Sequence, residues 1–146
     1  MNLNKLPPKR SSMLLAIAGA MLLTGWASAS MAEAVNVSLS GDQEVPAVKT
    51  AASGSGTFQI NDDKTVSGSV QVSGMDAVAA HIHQAAAGQN GPVIIPLSKG
   101  SNNEWSVGSG AKLSDEQYKV FKDGGLYVNV HSKAHQSGEI RGQLKP

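Results

Sequence analysis

Val35, Val37 and Leu39 alternate with Asn36, Ser38 and Ser40, a period of two that predicts a strand with one face turned to a core. The same period recurs along the chain. It predicts a second strand over 54–60, with Phe58 and Ile60 on one face, and a third over 66–72, with Val66, Gly68, Val70 and Val72 on one face. Between them, Asn61-Asp62-Asp63-Lys64 has the composition of a hairpin turn. A fourth strand is expected over 78–84, a fifth over the apolar run 93–97, a short sixth over 105–107, and two further strands over 126–131 and 139–144. Pro96 has no amide hydrogen to give to a ladder, which puts the fifth strand at an edge or beside a bulge. The stretches 41–53 and 85–92, rich in polar residues, Gly and Pro, read as loops.

One segment departs from the period of two. Leu113, Gln117, Val120 and Phe121 recur at helical spacing, Ser114 with Gln117 three residues later has the form of a capping box, and Asp123-Gly124-Gly125 supplies the stop. Seven or eight short strands with one short helix give an all-β class: a Greek-key β-sandwich or barrel, immunoglobulin-like or superoxide-dismutase-like.

The first 32 residues follow a different rule. Lys5, Lys9 and Arg10 precede a mostly apolar run from Met13 to Trp26, and small residues follow at Ala27-Ser28-Ala29 and Ser30-Met31-Ala32. Basic start, short apolar middle and small-residue end form a secretory signal peptide, with cleavage expected after Ala29 or Ala32. The apolar run is short for a membrane span, which needs ~20 residues. Residues 33–146 then make one domain, secreted or periplasmic, with no membrane anchor once the signal is removed. Its charge differs from that of the whole chain. Three of the twelve Lys and Arg but none of the eleven Asp and Glu fall in the signal, leaving nine against eleven, a formal −2 with neutral histidine. A nucleic-acid partner has no electrostatic support. The chain has no cysteine, which excludes blue-copper, cysteine-zinc and iron–sulfur centres.

All four histidines fall in two clusters. On a strand, His81 and His83 of Ala80-His81-Ile82-His83 point to the same face, within reach of one ion, while Ile82 points to the core. His131 closes the strand that begins at Leu126, and His135 follows four residues later on a turn. Imidazole suits copper and zinc, and copper binds nitrogen sites most tightly among first-row divalent ions. The candidate metal ligands are therefore His81, His83 and His131, with His135 as a fourth ligand, an outer partner or a surface residue. Other polar residues read as structural. Asp42 and Glu44 are expected as solvated loop charges, Asp62 and Asp63 as turn residues, and Glu139 with Arg141 as a surface or cross-strand pair. Trp105, Tyr118 and Phe121 are expected in the core, and no serine sits in a nucleophile motif.

Several blocks together resemble the CHRD domain, named after chordin: Ala80-His81-Ile82-His83, Asn90-Gly91-Pro92-Val93, Gly125-Leu126-Tyr127-Val128-Asn129-Val130-His131 and Gly138-Glu139-Ile140-Arg141-Gly142-Gln143-Leu144, with the opening Leu39-Ser40-Gly41-Asp42-Gln43-Glu44-Val45-Pro46. The resemblance covers nearly all of the chain after the leader and implies an exported domain. The order of Gly56-Thr57-Phe58, Val66-Ser67-Gly68-Ser69-Val70, the His81-Ile82-His83 strand and Val128-Asn129-Val130-His131 is also distantly similar to copper–zinc superoxide dismutase. That similarity implies copper-ligand positions for His81, His83 and His131. The long zinc-binding loop, the disulfide and a clear counterpart of the superoxide-guiding arginine are missing, so what it implies is a copper site without a neighbouring zinc.

The leading expectation is an exported protein that binds, sequesters or delivers copper, with zinc as the alternative ion. A copper-dependent redox enzyme and a non-catalytic extracellular protein-binding or adhesion module are the other readings. A homodimer that completes the site across a two-fold axis, with the loop histidine of one chain reaching the other, is compatible with the small number of ligands.

Overall fold

The computed structural model describes residues 32–146; the signal-peptide expectation falls on residues outside this range, save Ala32. Eight strands and one α-helix are present among the described residues: β1 (Ala32–Ser40), β2 (Ser53–Asn61), β3 (Val66–Ser73), β4 (Ala77–Gln84), β5 (Val93–Lys99), β6 (Glu104–Val107), α1 (Asp115–Lys122), β7 (Leu126–Ser132) and β8 (Ile140–Leu144). The strands close into an antiparallel barrel in the order β1-β2-β3-β6-β5-β4-β7-β8. The jumps from β3 to β4 and from β6 to β7 carry the chain past two strands each, the Greek-key crossover. Closure resolves the choice between sandwich and barrel, and it removes the sheet edges that an open sheet would leave unpaired.

The period of two is realised as inward and outward faces. Val35, Val37, Phe58, Ile60, Val70, Val72, Ile82, Val128, Val130, Ile140 and Leu144 are buried in one interior cluster, joined by Leu113 and Phe121 from the helical segment. Each fully buried aliphatic or aromatic side chain contributes roughly 1.5–3 kcal/mol of transfer free energy, so the barrel is held by its core without disulfides.

The helix forms where its caps direct. The Gln117 amide donates to Ser114 Oγ (3.1 Å) and the Ser114 amide donates to Gln117 Oε1 (2.9 Å), satisfying two donors that would otherwise face solvent at the first turn. Gly124, at φ +73°, takes the left-handed conformation that ends it.

Pro96 meets the bulge reading rather than the edge reading. It stands opposite His81 next to a register shift at Ile82/His83, and the β5–β6 ladder begins only at Leu97. The missing amide hydrogen therefore breaks no bond to β6.

β7 is unusual in being buried on both faces: Leu126 through Val130 are all buried, with His131 half-buried and Ser132 buried. Leu126, Val128 and Val130 fill the barrel. Tyr127, Asn129 and His131 point outward, where the segments 41–50, 85–92 and 133–138 lie near them through the contacts described below. That covered outer face positions the site.

Candidate metal centre

β7 lies between β4 and β8, and the register aligns the outward residues in rows. Ala79 pairs with His131, His81 with Asn129, and His83 with Tyr127; on the other side Asn129 pairs with Arg141 and Tyr127 with Gln143. The His-x-His of β4 and the outward histidine of β7 thus share one face because strand parity puts them there. Ile82 is buried in the core between them, so the pair stands on a stiff inner anchor.

The imidazoles converge. One ligand atom each from His81, His83 and His131 lies within 4.8 Å of the other two. His83 Nδ1 is 3.0 Å from the Gly91 carbonyl and His131 Nδ1 is 2.8 Å from the Gln136 carbonyl. A carbonyl only accepts, so each of these Nδ1 atoms carries the proton and each Nε2 keeps its lone pair. His131 Nε2 lies 3.0 Å from His81 Nδ1. His83 Nε2 is buried without a hydrogen-bond partner. The nitrogens that could meet an ion are His83 Nε2, His131 Nε2 and, once its own proton sits on Nε2, His81 Nδ1. With bonds of ~2.0–2.1 Å, two nitrogens on one ion stand roughly 3–4 Å apart, so the His81–His131 pair is at coordination distance, and the three-residue group, within 4.8 Å, would tighten around an ion. Carbonyl acceptors behind two of the ligands are the outer partners that fix tautomer and ring orientation in metal sites.

Electrostatics agree with neutral imidazoles. Burial holds His81 below the usual imidazole value, and His131 and His83 add to the depression. His83 is lowered by burial, which outweighs the Gly91 hydrogen bond, with His131 and Arg141 adding. His131 is lowered by burial against the opposing Gln136 bond. Unprotonated nitrogens are what a metal requires.

Three residues expected at the surface are instead buried around this face. Arg141 is 1% exposed. It does not pair with Glu139; its guanidinium donates to the carbonyls of Gln89 (2.7 Å) and Ala86 (3.0 Å), to Gln143 Oε1 (3.2 Å) and to Asn90 Oδ1 (3.4 Å), and it lies 3.5 Å from the Tyr127 ring centroid. Glu44 is not a solvated loop charge: it is buried and accepts from Asn129 Nδ2. Burial pushes its carboxyl up to about 7, against the lowering effects of Arg141 and Asn129. Glu139 is buried and accepts from Thr50 Oγ1 at 2.7 Å. Burial raises its carboxyl, but hydrogen bonds from Ser132 and Thr50, with His135 nearby, hold it below the usual range. Alternation gave Glu139 and Arg141 an outward face, and packed loops make that face an interior; Glu44 sits in a loop, where alternation carries no signal. For Arg141 the available signal was its parity with His81 through Asn129 across the two ladders.

The remaining candidates fall as follows. His135 lies outside the three-atom group; its amide donates to Ser132 Oγ (3.1 Å) in the turn that leads to Gln136. Asp63 accepts from the Thr65 amide and hydroxyl and Asp62 from the Tyr118 hydroxyl, so both serve the turn. Asp42 is exposed in a 3-10 turn, Gly41–Gln43. Trp105 and Phe121 are core residues and Tyr118 packs at its margin. Tyr127, Asn129 and Gln143, not singled out by their types, complete the covered face. A cavity of about 220 Å³ opens beyond Arg141, lined also by Glu44, Gln143 and Lys145 but by none of the histidines. Among the described residues no helix is long and apolar enough to cross a membrane.

No curated protein and no solved structure matches the chain. The CHRD domain family matches it over residues 35–144, from the first core residue of β1 to the last of β8, with the three converging histidines inside the match. The chain belongs to the CHRD domain family.

Proposed function

We propose that this domain is an exported copper-binding protein that sequesters or delivers the ion, holding it through His81 Nδ1, His83 Nε2 and His131 Nε2. The observation that carries the reading is His83 Nε2, a buried nitrogen with no hydrogen-bond partner, on a residue grouped with His81 and His131, whose ligand atoms lie within 4.8 Å of one another. Leaving a buried acceptor unmatched costs ~1–3 kcal/mol, and an ion supplies the missing partner. Three neutral imidazoles without thiolate suit copper or zinc, and the Irving–Williams order favours copper. Bound copper would supply one-electron chemistry. The chain's own residues bind and orient: the Gly91 and Gln136 carbonyls keep two ligand lone pairs aimed inward. For His135 an outer role fits its place near Glu139. The leader-like first 32 residues support export to the periplasm or beyond.

Metal analysis of purified, dialysed protein tests this. The account expects about one copper per chain for wild type and none retained by His81→Ala or His83→Ala. Wild-type protein free of both copper and zinc after exposure would contradict it.

A further inference from the structure

We propose that Arg141 is a positioning residue for His83: by fastening the 86–90 segment it keeps the Gly91 carbonyl on His83 Nδ1, and so keeps the Nε2 lone pair turned to the ion. The inference rests on the metal reading above.

The guanidinium is buried on the outer face of β8, where an apolar side chain would be cheaper to bury. What it gains there is almost entirely one segment. Three of its four hydrogen bonds end on Ala86, Gln89 and Asn90. The next residue is Gly91. Its carbonyl meets His83 Nδ1 at 3.0 Å and its amide donates to the Tyr127 hydroxyl at 3.2 Å. Tyr127 forms a second path from the same guanidinium: Arg141 lies 3.5 Å from its ring centroid, and the His83 ring stacks on it at 4.8 Å with 8° between planes. One buried cation therefore fixes both the acceptor that selects the His83 tautomer and the ring that sets the imidazole plane. A neutral imidazole otherwise exchanges its proton between two nitrogens, and with Nδ1 unmatched the Nε2–H form, which cannot ligate through that atom, gains population.

The test reads the tautomers of metal-free, full-length protein by 15N NMR of the imidazoles above pH 7.5, and copper(II) affinity by competition with a chelator. Arg141→Lys keeps the charge but not the planar fork. Tyr127→Phe keeps the ring and removes only the hydroxyl that holds the Gly91 amide. Wild type should show His83 as Nδ1–H. Both variants should shift His83 toward a mixture, leave His131 as Nδ1–H because its acceptor is Gln136, and bind copper ~10–100-fold more weakly, the usual cost of an outer partner. Folded Arg141→Lys with the wild-type His83 tautomer overturns the proposal. Should that variant not fold, Tyr127→Phe decides on the same readout. A shifted His83 tautomer in the variants, with wild-type protein that takes up no copper, upholds the positioning role and refutes the metal reading, so the two failures are distinct.

Discussion

His81 Nδ1 stands 3.0 Å from His131 Nε2 across two neighbouring strands. At that distance the two nitrogens share either a proton or an ion. His131 has placed its own proton toward Gln136, so without metal the bond runs from His81 Nδ1–H to His131 Nε2. With metal, His81 moves its proton to Nε2 and both lone pairs face the ion. Binding therefore shifts a proton within the His81 ring and releases none while the three imidazoles are neutral, so affinity depends on pH only where the rings protonate.

The direction follows from the burial of the three rings. All three are held below the ordinary imidazole value, so they resist protonation in the folded chain. Copper affinity should hold as pH falls through ~6.5, where free imidazole protonates, and decline only below it. Chelator competition from pH 8 to pH 4.5 checks this. The same shifts act on the metal-free fold. A depressed folded value means that the unfolded chain binds more protons, so this part of the stability is present above ~6.5 and is lost as pH falls through the folded values.

Glu44 acts with the opposite sign. Its carboxyl rises from 4.5 to about 7 on folding, so its favourable contribution is complete below 4.5 and is lost as pH rises through 7. Glu44→Gln should therefore gain on wild type as pH goes from 4.5 to 8, by up to roughly 3 kcal/mol. Urea unfolding at several pH values measures the difference. A gap between the two proteins that is constant with pH would show that Glu44 is ionised throughout.

Gly138 is needed for its backbone. It sits at φ +130°, and a methyl group there would collide with Asn129 Nδ2 and the Glu44 carboxylate. Gly138→Ala should cost ~1–3 kcal/mol, read as a lower thermal midpoint. Because Asn129 lies on β7 between Tyr127 and His131, copper affinity should fall as well.

The ligands should separate cleanly by substitution. Loss of His81, His83 or His131 removes a donor, and the affinity of each alanine variant should fall by more than the ~10–100-fold that an outer partner costs. His135 lies outside the converging group, so His135→Ala should stay within that smaller range. Isothermal titration of the four variants gives the ranking.

Much of this was legible in the chain. Alternation, with the apolar run at 93–97, located the eight strands, and Ser114 with Gln117 located the helix start, because these are local signals. Parity placed His81 and His83 on one face for the same reason. What periodicity does not carry is which outward face is later covered. Glu44 reads as a solvated loop charge and Glu139 with Arg141 as a surface or cross-strand pair, because polar residues in loops and on outward faces are mostly exposed. Their burial depends on loops packed from forty to ninety residues away in sequence, such as Thr50 on Glu139 and Ala86 on Arg141. The closure of the barrel is likewise a property of the whole strand order, and it brings His131 to β4 from fifty residues away.

The central claim is that three imidazole nitrogens of one chain hold one copper ion. Copper(II) titration followed by electron paramagnetic resonance tests it most directly, because the spectrum reports both stoichiometry and the nitrogen ligands. The account predicts saturation near one equivalent, with superhyperfine structure from three nitrogens that loses one nitrogen or the signal itself in His83→Ala. A wild-type spectrum indistinguishable from that of copper in buffer, or one unchanged by His83→Ala, would contradict it.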